Sequence, residues 1–227
     1  IRRLGRRVAH AVESTARNCT AGQSESEIAG ELAHRLIRRE IMPERLQVWA
    51  DGQSQRYPHA AFSRDQSVER FCTIAAVARR WGLCAAATRT VCFGEAPQDL
   101  QAAHHHCGLI QATGVRFSQP EWELFEVWNR VRRIYEKFGH ADEWRRAEQA
   151  EVIGYRACEV PLLPKSEFRL ASGMAMHWHP SVGPAVMGDT FLINADSREV
   201  LTPMEDWPRM RIEIKDALIE RPEILQR

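Results

Sequence analysis

Leu4, Val8 and Val12 recur at four-residue intervals, which places them on one face of a helix ending near Asn18. The polar stretch TAGQ, residues 20 to 23, breaks that period. Ser24 then offers a side-chain oxygen to the free amides of a new helix, and Glu27 a carboxylate that reaches back. This capping box precedes a buried stripe of Ile28, Leu32 and Leu36. The spacing predicts two antiparallel helices joined by a short glycine turn.

From Leu46 the period shortens. LQVWA, RYPHAAF, RFCTIAAVAR and AAATRTVCFG read as strands, and the apolar runs 71–77 and 85–93 flank RRWG, predicting a hairpin that turns near Gly82. A second pair of helices is predicted over 98–112 and 120–138, the latter opened by Pro120 and carrying Leu124, Val127, Trp128, Val131 and Ile134. After Gly139, the segments AEVIGYRACEVP, GMAMHWHP, AVMGDTFLIN and REVLT are strand candidates separated by proline and glycine. Helices, strands, helices, strands is the order of a duplicated ααβ half. It predicts an α+β fold in which helices cover one face of a curved antiparallel sheet.

Composition narrows the classes. With 31 Lys and Arg against 30 Asp and Glu over 227 residues, charge gives no reason to expect nucleic acid or a membrane surface as partner. No apolar run of about 20 residues exists for a membrane span. Six cysteines are scattered with no C-x-x-C pair, and several sit in apolar runs, so reduced thiols and a cytoplasmic location are expected. The chain opens on IRRLGRR without a methionine, and it is expected to be one domain over residues 1 to 227, the C-terminal part of a longer chain.

Several strings in this order resemble the pita-bread metallopeptidases: methionine aminopeptidase, Xaa-Pro aminopeptidase, prolidase and the related creatinase. They are Pro58 with His59, TRT at Thr88 to Thr90 with Phe93 and Gly94, and Ile153 to Tyr155. L-x-x-GM follows from Leu170 to Met174 with Pro180 six residues on, then D-T-x-L-I from Asp189 and VLT at Val200 to Thr202. The resemblance covers nearly the whole chain and implies the pita-bread fold. It also implies chemistry by two divalent cations such as manganese, cobalt or zinc, bridged by two aspartates, one histidine and two glutamates. Such a pair polarises a scissile carbonyl and makes hydroxide from water.

Carried over position by position, the resemblance puts the two aspartates at Ala75 and Ala86, the histidine at Glu151, and the glutamates at His179 and Gly188. Methyl groups and a hydrogen atom offer no lone pairs, so a bridged pair cannot be assembled from this set and no metal or other cofactor is expected. His59 matches the family's substrate-contacting histidine at the cleft mouth, or is a histidine beside a turn without special role. His177 and His179 share one face of a strand and, with Glu151, form an alternative one-zinc set; the plainer expectation is that they fill the vacated pocket and hydrogen-bond there.

His104 to His106 point in three directions on a helix and read as a solvated helix end, Cys158 as a buried thiol, and residues 145–151 as a mixed-charge surface segment. The leading expectation is a non-catalytic homologue of the Xaa-Pro aminopeptidases whose cleft, around His59, Glu151, His177 and His179, takes a peptide or small molecule. Two others stand beside it: an active aminopeptidase or dipeptidase with a site rebuilt from the same four residues, and a dimerisation or scaffolding module forming a homodimer.

Overall fold

The computed structural model describes residues 1–215 and 217–227. Its elements run α1 (Arg2–Asn18), α2 (Glu25–Ile37), β1 (Met42–Ala50), a short α3 (Gln53–Arg56), β2 (Phe71–Arg80), β3 (Leu83–Cys92), α4 (Gln98–Phe117) and α5 (Leu124–Lys137). A strand-rich second half follows: β4 (Ala150–Ile153), β5 (Val160–Pro161), β6 (Ala175–Trp178), β7 (Ser181–Val182), β8 (Ala185–Val186), β9 (Gly188–Ile193), β10 (Arg198–Val200), β11 (Arg209–Ile214), β12 (Ala217–Pro222) and β13 (Leu225–Gln226). The main sheet runs β1-β2-β3-β9-β6-β4-β5, with β10 added to β9 and β13 parallel to β3. The β3–β9 seam therefore joins strands from the two halves.

One face of this sheet is covered by helices. Leu4, Val8 and Val12 of α1 and Ile28, Leu32 and Leu36 of α2 are fully buried against Ile74, Ala76, Ala78, Ala85, Ala87 and Val91. The small side chains of β3 let α1 lie close to the strand. In the second half, α4 and α5 bury Cys107, Ile110, Trp128, Val131 and Tyr135 together with Ala150, Met176, Trp178 and Phe191. The other face curls into a half-barrel free of helices.

Both predicted helix pairs form, as does the β2–β3 hairpin, which turns on Trp81 and Gly82, both at positive φ. The capping box at Ser24 and Glu27 is present. Several boundaries differ. RYPHAAF is not a strand but a helical turn running into a loop, held by hydrogen bonds from Gln47 to the carbonyls of Pro58 and Ala60. β1 begins at Met42, four residues early, because Met42, Pro43 and Arg45 have paired partners on β2, with a bulge at Glu44, although none of them is buried.

Helix α4 runs five residues past the predicted end. Thr113-Gly114 reads locally as a stop, but a Cβ at Gly114 would lie 2.5 Å from the ring of Trp178, so the glycine serves close packing inside the helix. Helix α5 starts at Leu124 instead of Pro120, with Glu123 as its cap and Glu126 completing a capping box. The β11–β12 hairpin and β13 had no counterpart in the sequence reading.

Two side-chain expectations are corrected. His104 is not at a solvated helix end; it is 2% exposed in the body of α4 and its Nε2 lies 2.9 Å from the Pro222 carbonyl. Cys158 is exposed, on the loop between β4 and β5, and the other five cysteines are buried; none is in a disulfide. No helix among the described residues is long and apolar enough to cross a membrane.

Candidate functional site

Strand pairing decides which side chains meet on the helix-free face. Directly opposed residues share a face, and so do alternate residues along one strand. Ala75 opposes Thr88 and Val77 opposes Ala86; Thr88 in turn opposes Gly188; Thr190 opposes His177, which opposes Glu151. Ala75, Ala86, Thr88, Gly188, Thr190, His177 and Glu151 therefore all point into the curl. His179, just beyond β6, joins them. All five positions that the family resemblance singles out converge on one patch, brought together from residues more than a hundred apart in sequence.

Three of these residues form a compact network. His177 Nδ1 lies 2.8 Å from Glu151 Oε1, and His179 Nε2 bonds the other carboxylate oxygen. The two imidazoles stack with centroids 4.4 Å apart and planes within 16°. One ligand atom from each of Glu151, His177 and His179 can be chosen so that all three lie within 4.8 Å of one another. Glu151 is 2% exposed, and Gln149 and Ala150 are buried as well, so the expectation that residues 145–151 form a surface segment fails at its last three residues. The reason is that β4 starts at Ala150 and turns Glu151 inward.

The electrostatics follow from burial and from this pairing. Burial pushes the Glu151 carboxyl up, but the facing His179 and His177, with their two hydrogen bonds, outweigh it and hold the group well below the usual carboxylate range. Burial, then the neighbouring His179, lowers His177 to about 4, against an opposing pull from Glu151. His177 is thus the neutral member of the cluster and its Nδ1–H donates to the carboxylate. Its Nε2 is buried and finds no hydrogen-bond partner among the described residues. That nitrogen sits 3.1 Å from the point where a Cβ would stand on Gly188.

The remaining positions carry no donor. Ala86 is 1% exposed within an apolar cluster of Val77, Ile153, Ala175 and Leu192 on the same face. A Cβ on Gly188 would come within 2.4 Å of Thr88 Oγ1 and 2.9 Å of its Cβ, a contact that leaves no room for any side chain unless the seam shifts. Asp189 points the other way and bonds Arg89 at 2.9 Å and Thr202 at 2.8 Å. Thr190 Oγ1 is engaged by the Ala86 amide at 2.9 Å and the Ala86 carbonyl at 2.8 Å.

His59 lies on the loop that follows α3. Its exposed ring has Nδ1 3.9 Å from Glu148 and lines a cavity of about 50 Å³ together with Arg45, Gln47, Glu148, His179 and Ser181. Arg45 and Gln47 escaped the sequence reading because nothing in RLQVWA, residues 45 to 50, distinguishes a cleft-lining polar residue from a solvated one.

The fold agrees with comparisons to known proteins. The profile of metallopeptidase family M24 matches residues 1–215. Solved structures with the same fold include prolidase from Pyrococcus furiosus, 20% identical, covering 90% of this chain and 63% of that one, with a TM-score of 0.81. An Xaa-Pro dipeptidase from Bacillus anthracis is 19% identical over 99% of this chain and 61% of its own, with a TM-score of 0.80. A dipeptidase from Mycobacterium ulcerans is 15% identical over 99% and 58%, with a TM-score of 0.82. The chain thus spans roughly three fifths of the length of these proteins. No curated protein matches the sequence. With the family profile covering all but the last twelve residues and the half-barrel sheet in place, the chain belongs to metallopeptidase family M24 and has its pita-bread fold.

Proposed function

We propose that this chain is an M24 domain without the bridged two-cation centre, not hydrolytic by that chemistry, whose curled face binds a peptide or small ligand. The observation that carries this reading is the identity and surroundings of Ala75, Ala86 and Gly188. A bridged pair needs carboxylate oxygens on both sides of each ion, and hard cations stripped of water must regain those contacts from the protein. Here Ala86 is walled by aliphatic side chains, and Gly188 is closed over by Thr88. The carboxylate next in sequence to Gly188, Asp189, is committed to Arg89. The donors that remain do not fit two bridged ions. The cleft itself depends on the sheet and not on metal, and its polar wall of His59, Arg45, Gln47 and Glu148 offers hydrogen-bonding groups to a ligand.

The test is turnover of Xaa-Pro dipeptides and longer peptides with manganese, cobalt or zinc supplied. No turnover and no stoichiometrically retained ion are expected; two tightly held ions with turnover would overturn the reading.

A second reading, rebuilt one-ion chemistry, has its own supporting observation: Glu151, His177 and His179 present two imidazoles and a carboxylate within 4.8 Å, a ligand set of the kind that suits zinc. It predicts one zinc per chain, lost together with peptidase activity in His179→Ala. Dialysis of the wild type against zinc followed by elemental analysis separates the two readings, since the first needs no bound ion.

A further inference from the structure

On the helix-covered side of the sheet, away from the Glu151 cluster, the end of α4, the β9–β10 hairpin and the β11–β12 hairpin enclose a cavity of about 570 Å³. That is within the size range of pockets for small organic ligands. Its lining is of two kinds. Val115, Phe191, Val200 and Ile219 supply an apolar surface, extended at the rim by Leu218, which is 65% exposed. Four arginines, Arg116, Arg198, Arg209 and Arg221, face two carboxylates among the described residues, Asp196 and Glu220.

The charges are not balanced pair by pair. Glu220 is taken by Arg209 at 3.0 Å. Arg221, 3% exposed, lies over the Phe191 ring at 4.9 Å and is shared between Gln111 at 3.3 Å and Asp189 at 3.8 Å. Arg116 and Arg198 make no ion pair among the described residues, and the Nε atoms of Arg198 and Arg221 are buried without an acceptor. Burial, and then the proximity of Arg116, lower the pKa of Arg198 against an opposing pull from Asp196. Arg116 is exposed and Arg198 half-buried, with one Nη donating to the Ser197 carbonyl at 3.0 Å. A buried guanidinium N–H without an acceptor is costly, and an oxyanion satisfies two such N–H groups at once. A neutral ligand would leave them unpaired; a purely ionic one would leave the apolar lining wet.

We propose that this cavity is a binding site for an organic carboxylate with an apolar body, its head taken by Arg116 and Arg198 and its apolar part laid on Phe191, Val200 and Leu218. Recognition there is independent of the curled face and of any metal.

Calorimetric titration of the whole chain with decanoate, and with decanamide as its uncharged counterpart, tests this. Saturable binding of one decanoate per chain is expected, weakened by salt, with decanamide at least about tenfold weaker. Arg116→Ala and Arg198→Ala each weaken decanoate by about tenfold, the scale of a charge-assisted hydrogen bond. Leu218→Asp, an exposed change that leaves folding intact, also weakens it, while His179→Ala leaves it unchanged. The proposal is overturned by equal binding of decanamide and decanoate, by arginine variants that bind as the wild type does while keeping its circular dichroism spectrum, or by no saturable binding at millimolar decanoate.

Discussion

At the residue scale, His177 makes the curled face sensitive to pH. Unfolded, the histidine takes up a proton near its ordinary value of 6.5, whereas in the folded chain it holds out to about 4. Between those limits the unfolded state binds more protons, so stability falls as pH drops from about 6.5 toward 4, by on the order of 3 kcal/mol at the lower end. Glu151, with its folded value depressed, keeps its contribution throughout that window and loses it only at lower pH. The groups facing His177 are His179, Glu151 and, at longer range, Arg45. Urea midpoints of EDTA-treated protein across pH 4 to 7 are expected to slope steeply in the wild type and less in His177→Asn; equal slopes would contradict the assignment. Gly188 and Ala86 give a second residue-scale expectation. Gly188→Ala drives a methyl into Thr88 and is expected to cost about 1–3 kcal/mol by thermal unfolding. Ala86→Asp puts a carboxylate among Val77, Ile153 and Leu192 and costs more, even with metal supplied. The donor-poor positions were legible from TRT and the Gly82 turn, because strand register carries residue identity faithfully across a hairpin. The grouping of Glu151 with His177 and His179 came from the family resemblance and not from a local signal, since their contact depends on pairing between β4 and β6 across an intervening segment of more than twenty residues.

At the element scale, local signals were reliable where the physics is local. The Ser24 capping box is one: Ser24 Oγ accepts from the Glu27 amide and Glu27 returns a bond to the Ser24 amide at 2.7 Å. Ser24→Ala is expected to cost about 1 kcal/mol, measured as a lowered urea midpoint without change in slope. Glu25, next along, is buried and accepts from the amides of Ala50 at 2.8 Å and Ser63 at 2.7 Å, tying α2 to β1 and its following loop. Glu25→Gln keeps the shape but can accept from only one of the two amides and sets an NH2 against the other, so it should destabilise more than the exposed Glu31→Gln. Where tertiary packing overrides propensity, the sequence reading failed. Thr113-Gly114 looked like a helix end because a glycine stop and a glycine that admits a tryptophan ring are the same letter. The β11–β12 hairpin went unread because its outward positions, Arg209, Arg211 and Glu213, alternate with Met210, Ile212 and Ile214 in a stretch too charged to stand out.

At the scale of the whole molecule, the two halves are held at the β3–β9 seam, where direct strand pairing is brief: only Ala87 with Asp189 and Thr88 with Gly188 are opposed. Arg89 compensates for that shortness. Buried at 1% exposure behind the seam, it bonds Glu13 of α1 at 3.1 Å and Asp189 of β9 at 2.9 Å, and it donates to the carbonyls of Thr88 and Thr202. One side chain thus connects the first helix, both seam strands and the segment after β10. Its two carboxylate partners are buried, and burial pushes Glu13 up even against the pull of Arg89. Removing the guanidinium therefore does more than delete an ion pair, because it leaves two buried acids with only the longer ion pairs of Glu13 to Arg17 at 3.7 Å and of Asp189 to Arg221 at 3.8 Å. Arg89→Ala is expected to cost about 3–5 kcal/mol, whereas Arg89→Ala combined with Glu13→Gln and Asp189→Asn, which removes the stranded charges, should recover part of the loss. Denaturant unfolding of the single and triple variants distinguishes this from a merely steric role: a cavity left by the arginine would be present in both, so equal losses would mean that charge is not what binds the halves together.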